Sequence, residues 1–124
     1  MLNNEGQSAV SRVLLSPISA ANTAAATSGW VDVRGSVGDI MVVNNVGALT
    51  GSLVWTIEHA NDSIGTGAVA ITPNEGAYSA VTANSTQKRT ISANACRGFV
   101  RCVGTIVTGP VMVSAGVHAR AQYT

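Results

Sequence analysis

Charge is scarce in this chain of 124 residues. Asp, Glu, Lys and Arg together make up 10% of it, against about 25% in a typical soluble domain. The formal net charge is +1, and the densest basic spots are Lys88-Arg89 and the Arg97/Arg101 pair. Nucleic-acid binding needs a stripe of phosphate contacts, so no nucleic acid is expected as a partner. Aromatic residues amount to 4%, with a single Phe, too few to build a base-stacking platform. No apolar run approaches the ~18 residues of a membrane span, so no membrane association is expected. The opening residues, Met1-Leu2-Asn3-Asn4-Glu5-Gly6-Gln7, lack a basic region followed by an apolar stretch. They do not read as a secretory signal, and the expectation is a soluble chain made in a cytoplasm.

Cysteine is limited to Cys96 and Cys102. In an extended segment their Cα atoms would lie about 20 Å apart, well beyond the roughly 4.4–6.8 Å of a disulfide. A bridge would need a tight turn at Gly98. Free buried thiols suit the spacing and a cytoplasmic origin better. Two cysteines alone are not a metal site.

Alternating strand patterns fill the rest. The clearest block lies in residues 39–59. Ile40-Met41-Val42-Val43-Asn44 is apolar on both faces, a Gly/Thr turn follows, and Leu53, Trp55 and Ile57 then share one face opposite Val54, Thr56 and Glu58. This period of two signals sheet. Val31 and Val33 oppose Asp32 and Arg34 in the same way. In the last strand Val111, Val113, Ala115, Val117 and Ala119 face inward, with Met112, Ser114, His118 and Arg120 facing outward. Further strands are predicted around residues 68–72, 78–82, 87–92 and 99–107. The short apolar run over residues 10–15 is expected to stop at Pro17, and residues 19–28 to form a thin strand or extended arm.

Eight or nine short strands at these spacings predict an all-β, single-domain antiparallel β-sandwich or jelly roll with a short extended N-terminal arm. Residues 1–28 would supply the arm and first strand, and residues 29–124 the sandwich body. A chain of this length can bury roughly two-thirds of its unfolded surface in one core.

Residues that could carry chemistry are few and scattered. His59 ends a strand beside Glu58 and before Asp62, and Ser63 follows, but no nucleophile elbow accompanies them. A surface hydrogen-bonding role is the simpler reading of His59. Asp32, Asp39, Asp62 and Glu75 lie in or beside turns without forming a calcium loop. Glu58 and Glu75 are a carboxylate pair only because glutamates are few. The glycines at 35, 38, 65 and 67 read as turn residues, since a phosphate cradle needs a following helix. The expectation is therefore no catalytic residue, no cofactor, no metal and no enzyme. Trp30 lies on the polar side of its strand and is the best candidate for an exposed contact. Arg34, Met112, His118 and Arg120 complete the candidate protein-contact set.

Three stretches carry a family resemblance: Asp32-Val33-Arg34-Gly35, then Gly38-Asp39-Ile40-Met41-Val42-Val43, then residues 51–62 from Gly51-Ser52-Leu53-Val54-Trp55 to Asn61-Asp62. Together with Thr90-Ile91-Ser92 and Phe99-Val100-Arg101, they resemble small virion proteins of tailed phages across residues 29–120. The resemblance implies a capsid decoration, or cement, protein of the β-sandwich type. Such a protein would sit on the virion surface as a homo-oligomer, a trimer before a dimer, with the major capsid protein as partner. The alternative is a carbohydrate- or receptor-binding module of a phage tail or fibre, which would present exposed aromatics around Trp30 or Tyr78.

Overall fold

The computed structural model describes residues 9–20, 25–108 and 110–121. The expected polar arm over residues 1–8 and Tyr123 lie outside them. The described residues form nine strands: β1 (Ala9–Ala20), β2 (Ala25–Thr27), β3 (Val31–Asp32), β4 (Ser36–Leu49), β5 (Ser52–Ala60), β6 (Val69–Ile71), β7 (Ser85–Ser92), β8 (Phe99–Thr108) and β9 (Val111–Ala121). They build two antiparallel sheets ordered β1-β9-β4-β7 and β2-β8-β5-β6, with the two-residue β3 pairing with β8. Each pair in one sheet answers a pair in the other: β9-β4 faces β8-β5, and β4-β7 faces β5-β6. This wrapped order is that of a jelly roll, and the chain is an all-β sandwich as its alternation predicts.

The core lies between the sheets. Ile40, Val42 and Val46 from β4, Ile91 from β7 and Val111, Val113, Ala115 and Val117 from β9 meet Leu53, Trp55, Ile57, Val100, Cys102 and Ile106 from β5 and β8, all buried. β4 and β5 obey the period of two throughout, buried residues alternating with half-buried ones through their centres. Met41 and Val43 are half-buried on the outer face, as the two-sided apolar pattern of β4 predicts for a strand flanked on both edges.

Trp55 fits because its neighbour is a glycine. Gly104 is its partner across β8. A Cβ on Gly104 would stand 2.7 Å from Leu53 Cδ1 and 3.1 Å from Trp55 Cζ3, so the indole occupies the space a side chain would take. A second glycine, Gly38, holds a positive φ of 73° inside β4. The β4–β9 register shifts there, between Val37 and Met41, the signature of a bulge.

Two expectations are corrected. Pro17 does not end the first strand. β1 continues to Ala20 and absorbs the proline in register shifts between Val13 and Ile18; as the outermost strand of its sheet it can lose ladder bonds there. Residues 19–28 are accordingly the end of β1, the short β2 and the buried Ser28, with residues 21–24 outside the described set. Residues 78–82 are not a strand. Val81 makes one bridge to Leu53, while Tyr78 turns inward and its hydroxyl donates to buried Asn44 Oδ1 at 2.5 Å. Burial pushes the Tyr78 phenol up from its ordinary value.

The outer edge of β7 is partly closed by the turn before it. Glu75 Oε1 accepts from the Thr90 amide at 2.8 Å and Glu75 Oε2 from the Thr90 hydroxyl at 2.7 Å. The Asn74 amide donates to Thr90 O at 2.8 Å. These bonds hold the Glu75 carboxyl below its usual range, and they cover backbone groups that would otherwise offer a pairing edge.

Trp55→Ala is expected to cost about 3–5 kcal/mol by emptying the core. Gly104→Val is expected to cost about 1–3 kcal/mol by overfilling it. Urea denaturation reads both; a wild-type midpoint for either variant contradicts this account of the core.

Candidate functional site

Register fixes where the charges go. The turns from β4 to β5 and from β8 to β9 lie at the same end of the sandwich and are tied together, the Thr50 amide donating to Pro110 O at 3.1 Å. The segments that meet at this end lie within residues 40–57, 76–87 and 102–119, which contain no Asp, Glu, Lys or Arg; the first charge beyond them on β7 is exposed Lys88, two residues from Thr86. The opposite end carries Asp32, Arg34, Glu58, Asp62, Arg97 and Arg101, in β3, the last residues of β5, the first of β8 and the loops between them.

The charged end is sewn together internally. Arg101 Nε donates to Glu58 Oε1 at 2.6 Å, and its guanidinium stacks 4.6 Å from the centroid of Trp30. Arg34 grips Asp32 with two bonds, Nε to Oδ1 at 3.0 Å and Nη2 to Oδ2 at 2.8 Å, and lies 4.9 Å from the Phe99 centroid. Asp32 raises the Arg34 pKa through that hydrogen bond and through charge. Asp62 caps its own loop, accepting from the amides of Ile64 at 3.1 Å and Thr66 at 3.0 Å; the Thr66 side-chain hydroxyl first, and then these amides, hold its carboxyl below the ordinary value. Gly65 lies so close to Trp30 that a Cβ would stand 2.9 Å from the indole nitrogen.

His59 is buried at this end rather than exposed, a correction to the sequence reading. It continues the inward row of Leu53, Trp55 and Ile57, and the segment before β8 closes over it. Its Nδ1 accepts from the Arg97 amide at 3.2 Å, and Arg97 Nη1 reaches Gly67 O at 2.5 Å. Burial, then the Arg97 charge, lowers the His59 pKa. With Nδ1 engaged by a backbone amide, this imidazole positions a loop. Among the described residues no group of three His, Cys, Asp or Glu side chains could hold a metal ion. Both thiols are free, and burial raises Cys102 to about 11, far from a reactive thiolate.

The five contact candidates are dispersed. Trp30 and Arg34 belong to the charged end. Trp30 is half-buried beneath Arg101 rather than open, which corrects its reading as an exposed residue. Tyr78 is buried, so neither ring is the open platform a glycan site requires. His118 lies on the outer face of the four-stranded sheet, in register with Met41 and Ser11, and Arg120 pairs with Val37 and Ala9. Met112 alone stands at the uncharged end, 50% exposed.

Around Met112 the surface is shaped. A groove of about 490 Å³ is lined by Asn45, Gly47, Thr86, Met112 and Ser114 among others. A smaller one of about 240 Å³ lies beyond Met112, against Leu49, Thr50 and Pro110. Thr86 Oγ1 donates to Asn45 Oδ1 at 2.9 Å, and Asn45 Nδ2 to Ser114 Oγ at 3.3 Å. The wall of the larger groove is thus a hydrogen-bonded row across β7, β4 and β9. On the other sheet Val107 is 62% exposed at the same end. Sequence reading picked out Met112 but not the groove. The signal was the run of uncharged residues on both strands that line it.

The fold has relatives among solved structures. The structure titled "Bacillus endospore appendages form a novel family of disulfide-linked pili" aligns over 98% of this chain and 96% of that one, with a TM-score of 0.50 and 14% identity. A crystal structure of PirA aligns over 91% of this chain and 93% of that one, with a TM-score of 0.46 and 10% identity. The first likeness is one of fold. No protein-family model matches the chain, and no curated protein does. The fold and surface thus define a jelly-roll sandwich with a charged, internally paired end and an uncharged, grooved end.

Lowered below its usual ~6.5, the His59 pKa makes stability pH-dependent. The folded state favours neutral imidazole, so its contribution is present above about pH 6.5 and is lost as pH falls toward the folded pKa. The melting temperature should decline between pH 7 and 5, and His59→Gln should flatten that slope. Equal slopes in both proteins contradict the assignment.

Proposed function

We propose that this chain is a structural virion protein, a decoration protein that binds and stabilises a tailed-phage capsid as a homo-oligomer. One observation carries the reading: charge is segregated away from one end of the sandwich, where Met112 and Val107 stand exposed. Protein contact surfaces are depleted of Lys, Glu and Asp at their centres and enriched in Met. The resemblance carried by residues 32–62 supplies the phage assignment and the major capsid protein as partner. The charged end fits a scaffold role, because Asp32 and Glu58 each hold an arginine of the same end. A modest contact per copy becomes tight when an oligomer grips several capsid subunits at once. The protein is not an enzyme in this reading, and its place is the capsid surface.

The fold shared with an endospore pilus subunit favours a second reading, in which the chain is the repeating unit of a fibre. Mass spectrometry of purified mature particles separates the two, alongside electron microscopy of the isolated protein. The decoration reading expects near-stoichiometric abundance relative to the major capsid protein, and discrete oligomers in isolation. Absence from particles overturns it, and filaments grown from the isolated protein would favour the fibre.

A further inference from the structure

We infer that the surface around Met112 is a self-complementary contact, in which Met112 of one copy inserts into the groove beside Gly47 of a second copy. This rests on the reading of the uncharged end as a protein-binding surface, and it names the contact by which copies of the chain form the homo-oligomer.

The patch holds both halves of such a contact. Met112 is the exposed apolar knob, unbranched and adaptable. The hole lies directly beside it, with a volume of about 490 Å³, larger than a single unbranched side chain fills. Its floor is low because Gly47 has no side chain: a Cβ there would stand 3.6 Å from Met112 Cβ. Its wall is set in advance by the Thr86–Asn45–Ser114 row of hydrogen bonds, so little ordering is needed on association.

Charge selects a second copy as the occupant. A two-fold contact sets a patch against itself, so every ionisable group near the axis meets its own like charge. Residues 40–57, 76–87 and 102–119 contain no Asp, Glu, Lys or Arg, and the first charge beyond them on this face, exposed Lys88, stands at the margin of the patch, two residues along β7 from Thr86. The backbone of β1 beside Met112 adds Ser19 by register, within a run from residue 13 to residue 31 that is also free of these residues. The neutral groups that rim the groove, Asn45, Asn84, Thr86 and Ser114, include donors and acceptors and can face their own copies without repulsion. In the two-fold pair, each Met112 fills the groove of the other copy.

Sedimentation velocity of the full chain across a wide concentration range tests this, with melting curves confirming that each variant is folded. The wild type should pair reversibly. Met112→Lys places a like-charge pair at the axis and should weaken pairing at least tenfold. Gly47→Val fills the groove from its floor and should do the same while leaving Met112 in place. Ile64→Lys, at the fully exposed loop of the charged end, should pair as wild type does. A wild type that is monomeric at every concentration overturns the inference, as does wild-type mass for both Met112→Lys and Gly47→Val. Absence of the chain from virions, with pairing lost in both variants, leaves this inference standing and removes the decoration reading alone. Capsid binding by a chain that never pairs does the reverse.

Discussion

The sandwich depends on one contact, the indole of Trp55 lying over Gly104. Trp55 is the largest of the fully buried side chains, and it occupies the middle of β5. The space it needs is taken from its own neighbour in the sheet, because β8 supplies glycine where every other inward position through Ile106 carries a side chain. That single absence lets Leu53 and Trp55 lie side by side against β4 and β9. With sheets stacked about 10 Å apart, a tryptophan fills much of the gap alone, and small residues such as Ala115 and Val117 suffice opposite. A chain so poor in aromatics can build a core in this way because the one buried tryptophan sits centrally.

The second organising feature is where the charges are absent. A jelly roll brings non-consecutive strands together, so uncharged stretches far apart in the chain converge on one end. The opposite end absorbs the ionic groups as Glu58–Arg101 under the Trp30 stack and Asp32–Arg34 over Phe99. The exposed Asp32–Arg34 pair adds little stability. The effect of the two pairs is to engage polar side chains with one another at one pole and to leave the other pole neutral. A monomer gains nothing from such asymmetry, since mixed surface charge keeps proteins apart. A subunit that meets other protein surfaces does.

Much of the fold was legible in the sequence. The alternation in β4, β5 and β9 places inward and outward residues correctly, because each strand has one face against the core. The passage of β1 through Pro17 was not legible. A proline argues against a strand on local grounds, and only pairing with β9 along one edge makes it tolerable. Tyr78 also misleads: its apolar, β-prone surroundings suggest a strand, but the ring is drawn inward by buried Asn44, more than thirty residues away. Trp30 and His59 share a reason. Alternation assigned Trp30 to a polar face and position assigned His59 to a strand end. The residues that cover them, Arg101, Gly65 and Arg97, arrive from other parts of the chain. Met112 was visible as an outward residue, whereas its groove depends on the register of three strands.

The central claim is that the uncharged end is covered by protein in the working state of the molecule. Hydroxyl-radical footprinting read by mass spectrometry tests this most directly, because methionine is readily oxidised and Met112 is the exposed one at that end. The protein is labelled once as dilute subunits and once in its assembled form. The account predicts that oxidation of Met112 falls sharply on assembly, while Ile64 and Trp30 at the charged end are labelled as before. Unchanged labelling of Met112 with protection at the charged end would contradict it.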